Sequence, residues 1–130
     1  MRFSGIAELT AAVRARKISC QEIVYRTLIA IEDYGPLNAL TYVDREGAID
    51  RARKLDYRLY KGEDVGALCG VPVVIKDNLH VEGLPTTCSS AMMMDHVASF
   101  TATAVTRMLD AGAIVMAKAN METRIHTSAI

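Results

Sequence analysis

Apolar residues recur along this chain at two different periods. Ile6, Leu9 and Val13 come three and four residues apart, which places them on one face of a helix. Ser4 stands at the capping position, and the pattern carries this helix to about Lys17. Ser19, with Glu22 three residues later, opens a second helix as a capping box. Val24, Leu28 and Ile31 form its buried stripe, and Gly35-Pro36 stops it. Residues 40–43 read as a short strand. Asp44 then caps a third helix, with Ala48, Ala52, Leu55 and Leu59 on its inner face. Arg45, Arg51, Arg53, Asp56 and Arg58 make a solvated outer face, and Gly62 closes the helix.

Past Gly62 the pattern changes. Gly66 and Gly70 make a permissive turn, and Pro72 opens the apolar run Val73-Val74-Ile75, which reads as a strand buried on both faces. Lys76 ends that strand, and a long polar loop follows to about Asp95. Thr101 caps a fourth helix carrying Ala102, Val105, Met108 and Leu109, and Gly112 ends it. Residues 113–117 form another buried strand, leading to Lys118 and Asn120. Strand, helix and strand make a βαβ unit, so Lys76 and Lys118 stand at the same end of nearby parallel strands. The predicted fold class is α/β: N-terminal helices plus a partial, largely parallel sheet with crossover helices. One partial domain is expected, with 1–62 as a helical region and 63–130 as the start of the α/β core.

Composition narrows the class. Fifteen basic and fifteen acidic residues cancel, and no basic stripe suits nucleic acid or a membrane surface. The longest near-apolar run is too short to span a bilayer and contains a proline, so a soluble, cytoplasmic chain is expected. Cys20, Cys69 and Cys88 are odd in number and widely spaced, which fits reduced thiols packed as small hydrophobes. No metal-ligand spacing and no cofactor motif occurs. Met92, Met93 and Met94 read as packing filler.

The chemistry centres on Lys76, since open α/β sheets place ligands at the carboxyl ends of their strands. From spacing alone a snorkelling surface lysine is an equal reading. The motif Gly66-x-Leu68-x-Gly70-Val71-Pro72-Val73-x-Ile75-Lys76-Asp77-Asn78 resembles the start of the conserved region of amidase signature enzymes. The likeness continues through Gly83-Leu84-Pro85-Thr86-Thr87, Ala102-x-x-Val105-x-x-x-Leu109-x-Ala111-Gly112-Ala113-Ile114 and Lys118-x-Asn120-Met121.

The resemblance implies a serine–cis-serine–lysine triad acting on amide bonds, with Lys76 as its catalytic lysine relaying a proton from the cis-serine. Both serines of that family lie in a later Gly/Ser-rich segment, and no such segment occurs in these 130 residues. A chain carrying only the lysine is expected to be inactive alone. The alternatives are a catalytically silent binding or assembly module, or a fragment of an A-type amidotransferase component. When completed, the enzyme would take a small-molecule amide, whose substrate-binding residues the sequence leaves unknown. It would turn Lys76 inward and Asp77 away to tie down the loop. Nothing points to a cofactor, metal, nucleic acid or membrane. Self-association through an exposed sheet edge is expected.

Other candidates read as structural. Lys118 matches a frequent lysine of the family at a strand end. Ser89 and Ser90 follow Pro-Thr-Thr in a loop without a nucleophile elbow. His80, His96 and His126 are scattered. Val73-Val74-Ile75-Lys76 resembles the lysine strand of protein kinases, but the Gly-rich, His-Arg-Asp and Asp-Phe-Gly motifs are missing. The family pattern fades at Ala117, Ala119 and after Glu122, and residues 124–130 read as an aberrant end.

Overall fold

The structure is a computed structural model, and it describes residues 3–121. Residues 124–130 and His126 therefore lie outside the described residues.

The N-terminal layer consists of α1 (Ile6–Arg14), α2 (Cys20–Asp33) and α3 (Arg45–Tyr60). α1 starts after Gly5, and Ser4 does not cap it. Instead the Glu8 carboxylate accepts both the Ser4 N–H and its hydroxyl at 2.7 Å, which holds the Glu8 carboxyl below its ordinary range. The helix stops at Arg14, short of Lys17, because Arg16 takes a left-handed φ of 56°. Ser19 caps α2 as expected, accepting from Glu22 N at 3.0 Å. Asp44 caps α3 in the same way, accepting from Gly47 N at 3.2 Å.

Two charges of the supposed solvated face of α3 turn inward. Asp56 accepts from Cys20 N at 2.7 Å and Gln21 N at 3.1 Å, so it supplies α2 with a second capping acceptor. Arg51 reaches Asp44 and donates to Val115 O at 3.0 Å. A helix-to-helix cap is invisible to periodicity, because the partner donors lie about thirty-five residues upstream of Asp56.

The sheet has the order β1-β3-β2, with β1 at Leu40–Val43, β2 at Pro72–Lys76 and β3 at Ile114–Ala119. β2 pairs parallel with β3, and α4 (Thr103–Asp110) lies between them in sequence. β1 pairs antiparallel with β3. The sheet is thus evenly mixed and not largely parallel. Parallel pairing is imposed only where a crossover joins neighbouring strands, and β1 is a neighbour of β3 alone.

The strand buried on both faces is the central β3, whose residues from Ile114 to Lys118 are all buried. β2 is an edge strand: Ile75 is 3% exposed but Val74 is 46% exposed. The register slips between Val73, opposite Val115, and Val74, opposite Ala117. β3 therefore carries one extra residue there. Met116 and Ala117 both join the core under α1–α3, while Val115 joins Ile75, Val81, Leu84 and Val105 on the other face. The slip also decides that Lys118 leaves the sheet on the Val115 side, since it pairs with Ile75.

A tight backbone junction fixes the entry to β2. Leu68 N donates to Ala111 O at 2.7 Å and Gly70 N to Gly112 O at 3.0 Å. Gly112 has φ +92°, and a Cβ there would sit 2.2 Å from Val65 O, so only glycine fits. Thr101 does not cap α4, whose N-cap is Ala102. Its hydroxyl accepts from Glu82 N at 3.0 Å and fastens the loop instead.

Cys20 and Cys69 are buried free thiols, as expected, and Cys88 is exposed. A hydrogen bond to Cys69, together with burial, pushes the Cys20 thiol up, so it stays protonated. Met92 and Met94 are largely exposed, at 96% and 66%, because residues 91–93 form a surface 3-10 turn; they are not packing filler. Among the described residues no helix is long and apolar enough to cross a membrane.

Candidate functional site

The end of β2 divides two charges by simple alternation. Successive residues of a strand point to opposite faces, so Lys76 shares a face with Val74 and Asp77 shares one with Ile75. Lys76 is exposed and Asp77 is wholly buried. Among the described residues no hydrogen bond or ion pair to the Lys76 ammonium is found. Beside it, Val74 borders an apolar cleft of about 400 Å³, together with Ile31, Leu37, Leu40 and Val43.

Behind β2 the loop of residues 77–101 is tied to the sheet through Asp77. Its carboxylate accepts from Thr87 N at 3.2 and 3.3 Å and from the Thr87 hydroxyl. Its own N–H donates to Ala119 O at 3.0 Å, and its carbonyl accepts from Cys88 N at 3.1 Å. Asp77 thus ties the loop, but it is Asp77 that turns inward, and Lys76, expected to face inward, is exposed, because the covered face of β2 is the one Ile75 and Asp77 share.

The Asp77 carboxylate is neutralised by Lys118, whose Nζ lies 3.2 Å from Oδ1 with both side chains 0% exposed. Lys118 also donates to Pro85 O at 2.8 Å and to Thr86 Oγ1 at 3.0 Å. Two of the ammonium's donors are thereby hydrogen-bonded, and its charge is paired with Asp77. Isolated buried charges are prohibitively costly, so the pair stands because each partner is both neutralised and hydrogen-bonded. The two strand-end lysines are thus neighbours that do different things. Lys118 is locked into the loop behind the sheet, and Lys76 is free on the opposite face.

The loop continues this bracing. Pro85 bridges Val97, and Thr86 N donates to His96 O at 3.1 Å. Cys88 and Ser89 both hold left-handed backbone, with φ 51° and 55°. The Ser89 hydroxyl donates to Met121 O at 2.9 Å, across to the segment after β3. His80 and His96, scattered in sequence, are brought together with Nε2 atoms 3.4 Å apart. Among the described residues no group of three or more His, Cys, Asp or Glu is placed to hold a metal ion.

Sequence reasoning missed the buried Lys118–Asp77–Thr86 network. The signal was present in principle: a lysine at the end of a fully apolar run needs a buried anion, and Asp77 directly follows the neighbouring strand.

Residues 22–128 match the protein-family model described as Amidase. The chain is 39% identical over 116 residues to the A-type component of the glutamyl-tRNA(Gln) amidotransferase from Acidothermus cellulolyticus, covering 88% of this chain and 23% of that protein. It superposes on a bacterial aryl acylamidase belonging to the amidase signature enzymes with TM-score 0.85 and 30% identity, over 90% of this chain and 25% of the other. An amidase family protein from Bacillus anthracis matches with TM-score 0.81 and 31% identity, over 91% of this chain and 24% of that one. The chain spans about a quarter of the length of these proteins.

Proposed function

This chain belongs to the amidase signature family, and from that premise we propose that it supplies the lysine of an enzyme that cleaves carbon–nitrogen amide bonds. In this reading Lys76 is the catalytic lysine of a serine–cis-serine–lysine triad, and the two serines come from a segment other than these residues. The domain is partial: 1–62 is the helical region and 63–130 the start of the catalytic α/β core. Without the serines the chain alone turns over no amide, since triad members act as a unit. A cytoplasmic setting fits the balanced charge and the reduced thiols.

The observation that carries this reading is the contrast between the two lysines. A proton relay needs an amine whose lone pair is available to a neighbouring hydroxyl. Lys118 is hydrogen-bonded to Pro85 and Thr86 and ion-paired with Asp77. Lys76 is exposed at the carboxyl end of β2, on the face of Val74, which lines an apolar cleft, and its backbone is braced by Asp77. Asp77 and the loop hold the strand end rigid, which is what a relay group needs from its surroundings.

The test is a chimaera in which residues 22–121 replace the matching part of a solved amidase signature enzyme. Hydrolysis of an aryl amide is expected, with Lys76→Ala removing most of kcat and leaving Tm unchanged. A chimaera whose Lys76→Ala variant keeps near-normal kcat would remove Lys76 from the mechanism.

A second reading is ammonia transfer by an A-type amidotransferase component. It is favoured by the likeness to the glutamyl-tRNA(Gln) amidotransferase of Acidothermus cellulolyticus. In it the serine attacks the amide carbonyl, ammonia leaves as the acyl-enzyme forms and passes to an acceptor held by partner proteins, and water then hydrolyses the acyl-enzyme to the acid. Glutaminase activity of the chimaera that rises with those partner proteins would separate this reading from simple hydrolysis.

A further inference from the structure

We propose that His80 and His96 form a two-histidine site for a borderline divalent metal ion of the zinc or nickel class. Their Nε2 atoms are 3.4 Å apart. That is longer than an ordinary N–H hydrogen bond of about 2.7–3.2 Å. It equals the bite of a tetrahedral ion, since two nitrogens each about 2.0–2.1 Å from zinc lie about 3.3–3.4 Å from one another.

The pair is held in place before any ion arrives. The His80 ring stacks on Phe100 with centroids 4.7 Å apart and planes 9° from parallel. The His96 ring meets His80 edge-on at 80° and 5.6 Å. The backbone is anchored on both sides: His80 O accepts from Ala102 N at 2.9 Å, His96 N donates to Met93 O at 3.0 Å, and His96 O accepts from Thr86 N at 3.1 Å. Neutral imidazole suits zinc, copper and nickel, and needs no charge compensation on the protein. With two protein ligands the ion keeps two open positions for water or an exogenous ligand. It would cross-link the segment after β2 to the segment before α4, without touching Lys76, Asp77 or Lys118.

The experiment is calorimetric titration of the whole 130-residue chain with zinc chloride, and separately with nickel chloride. One saturable equivalent is expected, together with a rise in Tm. His80→Gln and His96→Gln should each abolish saturable binding, while Cys88→Ser and His126→Gln leave it intact. Circular dichroism checks that the variants fold. If one does not, long-range proton–nitrogen spectra of the wild-type imidazoles decide, since zinc should shift the Nε2 resonances of His80 and His96 alone. Absence of saturable binding, binding that survives both histidine substitutions, or shifts confined to other groups would overturn the site.

Discussion

Replacing Lys118 by methionine tests the energetics of the buried pair directly. Methionine keeps the length of the side chain and removes its charge. Asp77 then keeps its hydrogen bonds from Thr87 but loses the only cation facing it among the described residues. Pro85 O and Thr86 Oγ1 each lose a donor, and Thr86 is fully buried. Removing one partner of a buried ion pair costs about 3–5 kcal/mol, because an uncompensated charge stays behind. A domain of ordinary stability has about 5–15 kcal/mol to lose, so the variant should sit near its unfolding threshold. Restoring neutrality with Asp77→Asn in the same chain should recover a large part of the loss, which makes the double variant more stable than Lys118→Met alone. The assay is urea unfolding of the four chains of the cycle, with m checked for constancy. Amide exchange at Thr87 gives a local readout, and its protection should fall in Lys118→Met. A loss below about 1 kcal/mol for Lys118→Met, the worth of an exposed pair, would refute the claim that Lys118 and Asp77 are buried together.

Other outcomes follow from single contacts. Gly112→Ala should abolish folding or lower Tm severely, since the new Cβ meets Val65 O at 2.2 Å on left-handed backbone. Gly62→Ala, with φ +78° but open space around it, should cost only about 1 kcal/mol. Asp56→Ala should destabilise by about 0.5–2 kcal/mol, as loss of a helix cap does, with weakened amide protection at Cys20 and Gln21. Ser4→Ala should raise the Glu8 carboxyl toward its ordinary value, read by NMR titration. Because the folded-state value is depressed, the bond stabilises at neutral pH and is lost as pH falls through the folded Glu8 value.

Local patterning was enough to locate most elements. Helix α2 and strand β1 stand where the spacing of Val24 and Leu28 and the short run from Leu40 put them, because one residue's capping or burial depends on neighbours three or four positions away. What escaped was decided by residues far apart in sequence. The direction of β1 depends on β3, about eighty residues later, and the exposure of Val74 depends on β2 having a partner on one side only. The register slip at Met116 cannot be read from an apolar run in which every residue is hydrophobic. Yet that slip sets which face receives Lys118. An ideal pairing would have put Val74 opposite Met116, and the following lysine on the face of Lys76.

The two lysines therefore pose one question about chemistry, and a paired substitution answers it. In the chimaera, Lys76→Arg keeps a cation at the end of β2 but cannot accept a proton, since a guanidinium stays charged at any usable pH. Under the proposed relay it should lose most of kcat, much as Lys76→Ala does, with KM little changed. Lys118→Arg keeps the charge that Asp77 needs, but forces a larger, planar head among Pro85, Thr86 and Asp77, in a site with no exposed surface. Its effect should fall on Tm first, with kcat lowered only as far as the β2 end is displaced. Lowering the assay temperature should restore activity to Lys118→Arg but not to Lys76→Arg, because cold favours a strained fold and does nothing for a missing base. If the pattern is reversed, with Lys76→Arg active and Lys118→Arg dead at every temperature while still folded, the buried lysine is the chemical one and Lys76 is the surface residue that spacing alone allowed.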